Sequence, residues 1–150
     1  MKNVFNKMDS DEVINRINKL TPKSKAVWGT MDVAQMLAHC NVTYDMDMTN
    51  DYPKATGVKK FFLKLFIKSV VVGEKPYQKN GRTAPPFIIT GERAFDNEKT
   101  KLVNYILKVQ KLGASHYEGK ESNSFGPLKS SEYNNMFYKH LDHHLNQFGV

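Results

Sequence analysis

Apolar residues recur along this chain every three or four positions and almost nowhere every second one, so the pattern predicts helices rather than strands. Val13, Ile14, Ile17 and Leu20 follow a candidate capping box of Asp9 and Glu12, which sets a first helix starting at Asp9 and stopped by Pro22. Thr30 is the candidate cap of a second helix over 31–48, with Asp32 in its first turn. Val33, Leu37, Cys40 and Tyr44 form its main stripe, and Met31, Met36, Val42 and Met46 cover other sides, so it is expected at the centre of the molecule. Residues 57–72 give a third helix, with Lys60, Lys64 and Lys68 on one side and Val58, Phe62, Leu65, Phe66 and Ser69 on the other. The lysines are expected to be the wet face of a packed helix, the alternative being a helix that lies on a membrane surface.

From Gly73 to Phe95 the glycines and prolines predict a long connection of the kind that often forms a lid, with one short extended piece at Phe87 to Ile89. Asp96 is the expected cap of the next helix, which runs through Leu102, Val103, Ile106 and Val109 to Leu112 and ends at Gly113. A polar loop over 114–129 leads to a last helix over 130–148, with Tyr133, Met136, Phe137, His140, Leu141, His144 and Phe148 on one side. Four or five helices of this kind predict a single all-α domain over 1–150, a bundle with long connecting loops and room for one additional short helix.

Composition changes this picture little. The chain of 150 residues is long enough for one core without disulfides. The lone Cys40 and the absence of an apolar leader in the first residues set the expectation of a reducing, cytoplasmic setting. The stretch from Phe61 to Val72 carries Lys64 and Lys68 and falls short of the ~20 apolar residues of a spanning helix, so no stable membrane insertion is expected. A balance of 22 Lys+Arg against 15 Asp+Glu, formally +7, raises the question of an anionic partner. Because the lysines recur on the polar sides of several helices, they read as solvated surface, and no nucleic-acid partner is expected.

The candidate chemistry lies in the histidines. On a wheel of about 100° per residue, His140 and His144 are about 40° apart, bracketed by Tyr133, Met136 and Phe137, so both should point inward. With His39 from the second helix they could supply three nitrogens to a divalent ion; alternatively each imidazole finds a carbonyl, hydroxyl or water. His39 lies about 160° from Leu37, off its own helix's main stripe, beside Gln35, Met36, Val42, Thr43 and Met46. His143 competes for the pairing with His140 but falls toward the edge of the face. Gln35, Gln147 and His143 are candidates for orienting ligands or substrate from behind the histidines. Cys40 reads as an inert buried thiol, and Arg82 as an exposed loop arginine before it reads as an anion clamp.

The segments Trp28-Gly29-Thr30-Met31 and Gln35-Met36-Leu37-Ala38-His39-Cys40, the Phe125-Gly126-Pro127-Leu128 lead-in, and the ending from Tyr138 to Gly149 resemble a family of uncharacterised bacterial proteins. It is domain of unknown function family 1569, grouped with the DinB/YfiT-like superfamily of thiol-dependent S-transferases and related enzymes. The resemblance implies a DinB-like four-helix bundle holding zinc or nickel through His39, His140 and His144. It also implies a thiol-dependent transferase in which a low-molecular-weight thiol cosubstrate attacks a small electrophile, and a homodimer. Lys129 stands where the family tends to have a capping Ser or Thr, and Tyr133 replaces a frequent Trp. The alternatives are a non-catalytic, stress-related bundle that binds metal or ligand, and a metal-dependent hydrolase.

Overall fold

The computed structural model describes residues 1–150 and is mostly helical. Its elements are α1 (Lys7–Asn18), α2 (Val33–Met48), α3 (Gly57–Phe62), a π-turn (Leu63–Ile67), α4 (Lys68–Val72), a short 3₁₀ turn (Pro85–Phe87), α5 (Phe95–Tyr117), the strands β1 (Glu121–Ser122) and β2 (Gly126–Pro127), and α6 (Ser130–Gln147). The two strands make one small antiparallel hairpin between α5 and α6.

One core joins α1, α2, α5 and α6. Val13 and Ile17 of α1, Leu37 and Tyr44 of α2, Leu102 and Ile106 of α5, and Tyr133, Phe137 and Leu141 of α6 are all buried in it. Tyr44 stacks nearly parallel on Phe137 at 4.9 Å and on Tyr105 at 5.5 Å, tying the three long helices together at mid-height. As expected from its apolar circumference, α2 is central, buried from Val33 to Asp45 with only Gln35 reaching the surface. That burial resolves the wheel argument about His39: when every side of a helix is inside, a residue off the main stripe is inside as well.

Three helix starts differ from expectation: at α1 and α2 another side chain reaches the free N–H groups first, and at α5 Ala94 rather than Asp96 stands at the cap, with no side-chain bond and Asp96 inside the first turn. Asn6, not Asp9, caps α1, accepting from the Met8 N–H at 2.8 Å, while Asp9 accepts from the Asn3 N–H. Asp32, not Thr30, caps α2; it closes a capping box in which its carboxylate accepts from the Gln35 N–H at 2.8 Å and the Gln35 amide oxygen accepts from the Asp32 N–H. At α6 the residue Lys129 has no acceptor to offer, so only the return half of the box forms, from the Lys129 N–H to Glu132 at 2.9 Å. A 3₁₀ turn at Pro85–Phe87 takes the first residue of the extended piece expected at Phe87 to Ile89, because two consecutive prolines fix their φ angles in a range such a turn accepts, and Ile88 behind it is extended. As expected, the helix that starts at Phe95 is broken at Gly113, whose φ 74° and ψ 170° are not helical, and a further short helical stretch beyond the kink completes α5 to Tyr117.

The largest correction concerns 57–72. Lys60 and Lys68 turn toward the body of the protein, pairing with Glu121 at 2.6 Å and Glu132 at 2.8 Å, while Phe61, Phe62, Leu65 and Phe66 point to solvent. The wider π-turn accounts for part of this: it inserts a residue between the two lysines, which brings them onto one inward line and leaves Lys64 exposed. The sequence pattern shows the two faces but not which one finds partners.

Candidate metal centre

Three histidines from two helices meet where α2 passes α6. Each of His39, His140 and His144 has a ring nitrogen within 4.8 Å of the others'. The Nε2 atoms of His39 and His140 are 2.9 Å apart, and the ring centroids lie 4.5 to 4.9 Å from one another. His140 and His144 reach this point because residues four apart on α6 stack along one face.

The other nitrogen of each ring is engaged by the protein. His39 Nδ1 lies 2.8 Å from the Phe87 carbonyl oxygen, an acceptor only, so His39 carries its proton on Nδ1 and offers a lone pair on Nε2. His144 Nδ1 lies 2.8 Å from Gln147 Oε1. The orientation of that amide is set by its other end, since Gln147 Nε2 donates to the Trp28 carbonyl at 2.7 Å. His144 therefore also protonates Nδ1 and presents a bare Nε2 to the cluster. His140 Nδ1 is 2.8 Å from Thr43 Oγ1, a hydroxyl that can donate or accept. Without a cation, Thr43 donates to His140 Nδ1, and His140 Nε2–H donates to His39. Were His140 to serve as a ligand through Nε2, its proton would sit on Nδ1 and Thr43 Oγ1 would accept it. The cluster thus holds both arrangements with every Nδ1 satisfied.

Burial sets the charge. It holds His39 and His140 below the ordinary imidazole range, and it pushes His144 down to about 3, with the neighbouring histidines adding like-charge repulsion. All three are neutral at pH 7 and available as ligands. The sign for stability follows. Unfolded imidazoles take up protons below about pH 6.5, whereas folded His144 resists until about 3, so the contribution is complete above 6.5 and declines as pH falls toward 3. The metal-free chain should lose up to about 1.4 kcal/mol per pH unit for each such imidazole. Urea midpoints at about pH 7.5 and about pH 5 check this, and equal midpoints would refute it.

The surroundings are aromatic. The Phe87 ring lies 5.4 Å from His39 and 5.7 Å from His140, and Tyr77 lies 6.2 Å from His140 and 5.7 Å from His143, so the 73–95 connection covers one side of the cluster. A surface groove of about 300 Å³ opens beside it, lined by Tyr77, Lys139, Asp142 and His143 among others. A larger depression around Asn97, Lys101 and Lys108 contains none of the histidines.

Among the other residues singled out from the sequence, Gln147 touches a cluster histidine, as described. Gln35 does not: its amide caps α2 and donates to the Gly91 carbonyl at 3.2 Å. His143 is half-buried outside the cluster, edge-on to Trp28 at 6.0 Å and to His144 at 5.0 Å. Arg82 is exposed. Cys40 is buried with its thiol pushed up by desolvation, its Sγ 3.8 Å from Met36 Sδ. Two carboxylates that could have served as a base are committed elsewhere. Asp45 binds Lys101 at 2.9 Å and accepts from the Tyr105 hydroxyl, and Asp142 pairs with Arg16 at 2.6 Å. Sequence reasoning had assigned no role to Thr43, the Phe87 carbonyl or the Trp28 carbonyl. Only Thr43 left a signal, standing one helical turn after His39.

A family model described as a protein of unknown function, DUF1569, matches residues 2–149. No curated protein and no solved structure matches the chain.

Proposed function

We propose, from the premise that the chain belongs to the DUF1569 family, that it is a DinB/YfiT-like metalloprotein which binds zinc or nickel through His39, His140 and His144. One observation carries the reading: three neutral imidazoles, two buried and His140 half-buried, converge while an acceptor of the protein stands at each Nδ1. Such outer partners are the usual companions of ligating histidines, because they fix tautomer and ring direction. Three nitrogen donors suit zinc, nickel and iron alike.

The activity proposed is transfer of a low-molecular-weight thiol to a small electrophile. A divalent ion with only neutral protein ligands keeps its full charge, and it supplies the acidity that turns a thiol into the reactive thiolate. The protein's own residues orient and enclose. Phe87 and Tyr77 shield one side from water, and Gln147 and Thr43 hold the imidazoles in place. Cys40 need not take part, being buried against Met36. Hydrolysis is less well supported, since it calls for a carboxylate base and Asp45 and Asp142 are paired elsewhere. A bundle that binds metal without turnover is the second reading, favoured by the commitment of Asp45 and Asp142 to Lys101 and Arg16, which leaves neither carboxylate free to act as a base.

Elemental analysis of untagged protein, beside His140→Ala and His144→Ala, tests the metal. Near-stoichiometric zinc or nickel in wild type and its loss from both variants is the expected result; a wild type that stays empty after incubation with either metal rules the site out. Consumption of a model electrophile by the loaded protein only when thiol is added would then support transfer. Turnover without thiol would point to hydrolysis, and no turnover in either case to the binding bundle.

A further inference from the structure

The rod formed by α3, the π-turn and α4 shows an unusual inversion of an amphipathic helix. Its charged residues Lys60 and Lys68 face inward onto Glu121 and Glu132, and its aromatic side faces water, with Phe61 63% and Phe66 60% exposed. Phe62 stacks on Phe66 at 5.9 Å and touches Phe61 edge-on at 5.9 Å, so the apolar residues form one continuous strip together with Leu65. Contiguous apolar surface of this kind marks a place of interaction. The rod is held at both ends of its inner side. Besides the two ion pairs, Lys139 of α6 is buried and donates to the carbonyls of Val70 at 2.7 Å and Gly73 at 2.5 Å, closing the C-terminal end of α4.

Charge selects the occupant. From Asp51 to Glu74 the chain has no other acidic residue, and five lysines lie between them. Two are paired; Lys54, Lys59 and Lys64 are exposed without an ion pair, on a chain of formal charge +7. A second copy docking on the same strip would bring lysine against lysine with no carboxylate in the segment to offset them. An anionic bilayer offers what the strip lacks: headgroup phosphates for the lysines and an apolar boundary for the phenylalanines. A rod of 16 residues, about 24 Å long, lies flat in that boundary without spanning it. No helix of the protein is long and apolar enough to cross a membrane.

We propose that the exposed face of 57–72 is a docking surface for anionic lipid bilayers, holding the protein peripherally through Phe61, Phe62, Leu65 and Phe66 with Lys59 and Lys64 at the headgroups. The full chain should float with vesicles of equimolar phosphatidylcholine and phosphatidylglycerol, be released by added salt, and stay behind with pure phosphatidylcholine. Phe61→Ser combined with Phe66→Ser, and separately Lys59→Glu combined with Lys64→Glu, should each weaken binding by about tenfold or more. All four side chains are exposed, so unchanged thermal melts will show that the variants fold. Failure of the wild type to float, or equal flotation of both variants, overturns the proposal. A wild-type dimer that Phe61→Ser and Phe66→Ser convert to monomer, with no flotation, would overturn it in favour of a second copy as occupant.

Discussion

His140→Ala is expected to give a folded protein whose stability no longer responds to zinc or nickel. In wild type, ion at a hundred times its dissociation constant should add about 2.7 kcal/mol, which for a chain of this size raises Tm by about 5–10 °C. The variant should lose more than the 10–100-fold in affinity that outer partners are worth, because it removes a nitrogen that would bind the ion directly. The metal-free protein should pay a smaller toll. Removing the imidazole leaves His39 Nε2 and Thr43 Oγ1 without their shared neighbour, at about 1–3 kcal/mol if water does not replace it. Thermal melts with and without metal separate the two effects, and an unchanged metal response in the variant would sink the three-histidine site.

Gly29→Ala should be nearly as damaging although Gly29 touches no histidine. A Cβ there would lie 2.4 Å from Gln147 Nε2, and the backbone at φ +83° disfavours any side chain. The substitution has to push Gln147 away from the Trp28 carbonyl, and with it the oxygen that orients His144. We expect a loss of about 2–3 kcal/mol in stability, combining backbone strain with a broken buried hydrogen bond, and a 10–100-fold loss in metal affinity. Gln147→Ala should reproduce the loss of affinity without the strain. Calorimetric titration with zinc checks both variants; wild-type affinity in Gly29→Ala would show that the loop carrying Trp28 has no influence on the site.

Much of this arrangement was legible in the sequence. The helices followed from apolar spacing, and His140 and His144 from their separation of four on an apolar face. What eluded sequence reasoning lies in contacts between segments far apart. The Phe87 carbonyl has no side-chain signature, since any residue there offers the same oxygen, and its position depends on a 3₁₀ turn in a connection without periodicity. Gln35 and Gln147 looked alike as polar residues near histidines, yet one closes a capping box and the other orients a ring. The rod at 57–72 was misread for a related reason. Which face of an amphipathic helix is buried depends on its partners, and Glu121 and Glu132 lie more than 50 residues further along the chain.

The meeting of His39 with His140 joins residues 101 positions apart, and nearby Arg16 binds Asp142 across 126. Contacts that close such long loops form late, because the entropy of bringing distant segments together must be overcome before they contribute. A chain still folding can offer an ion only the local pair His140 and His144 once α6 has formed. An ion that needs all three imidazoles therefore stabilises only chains whose second and last helices have already docked, which makes the cluster a lock on completed folding rather than a nucleus for it.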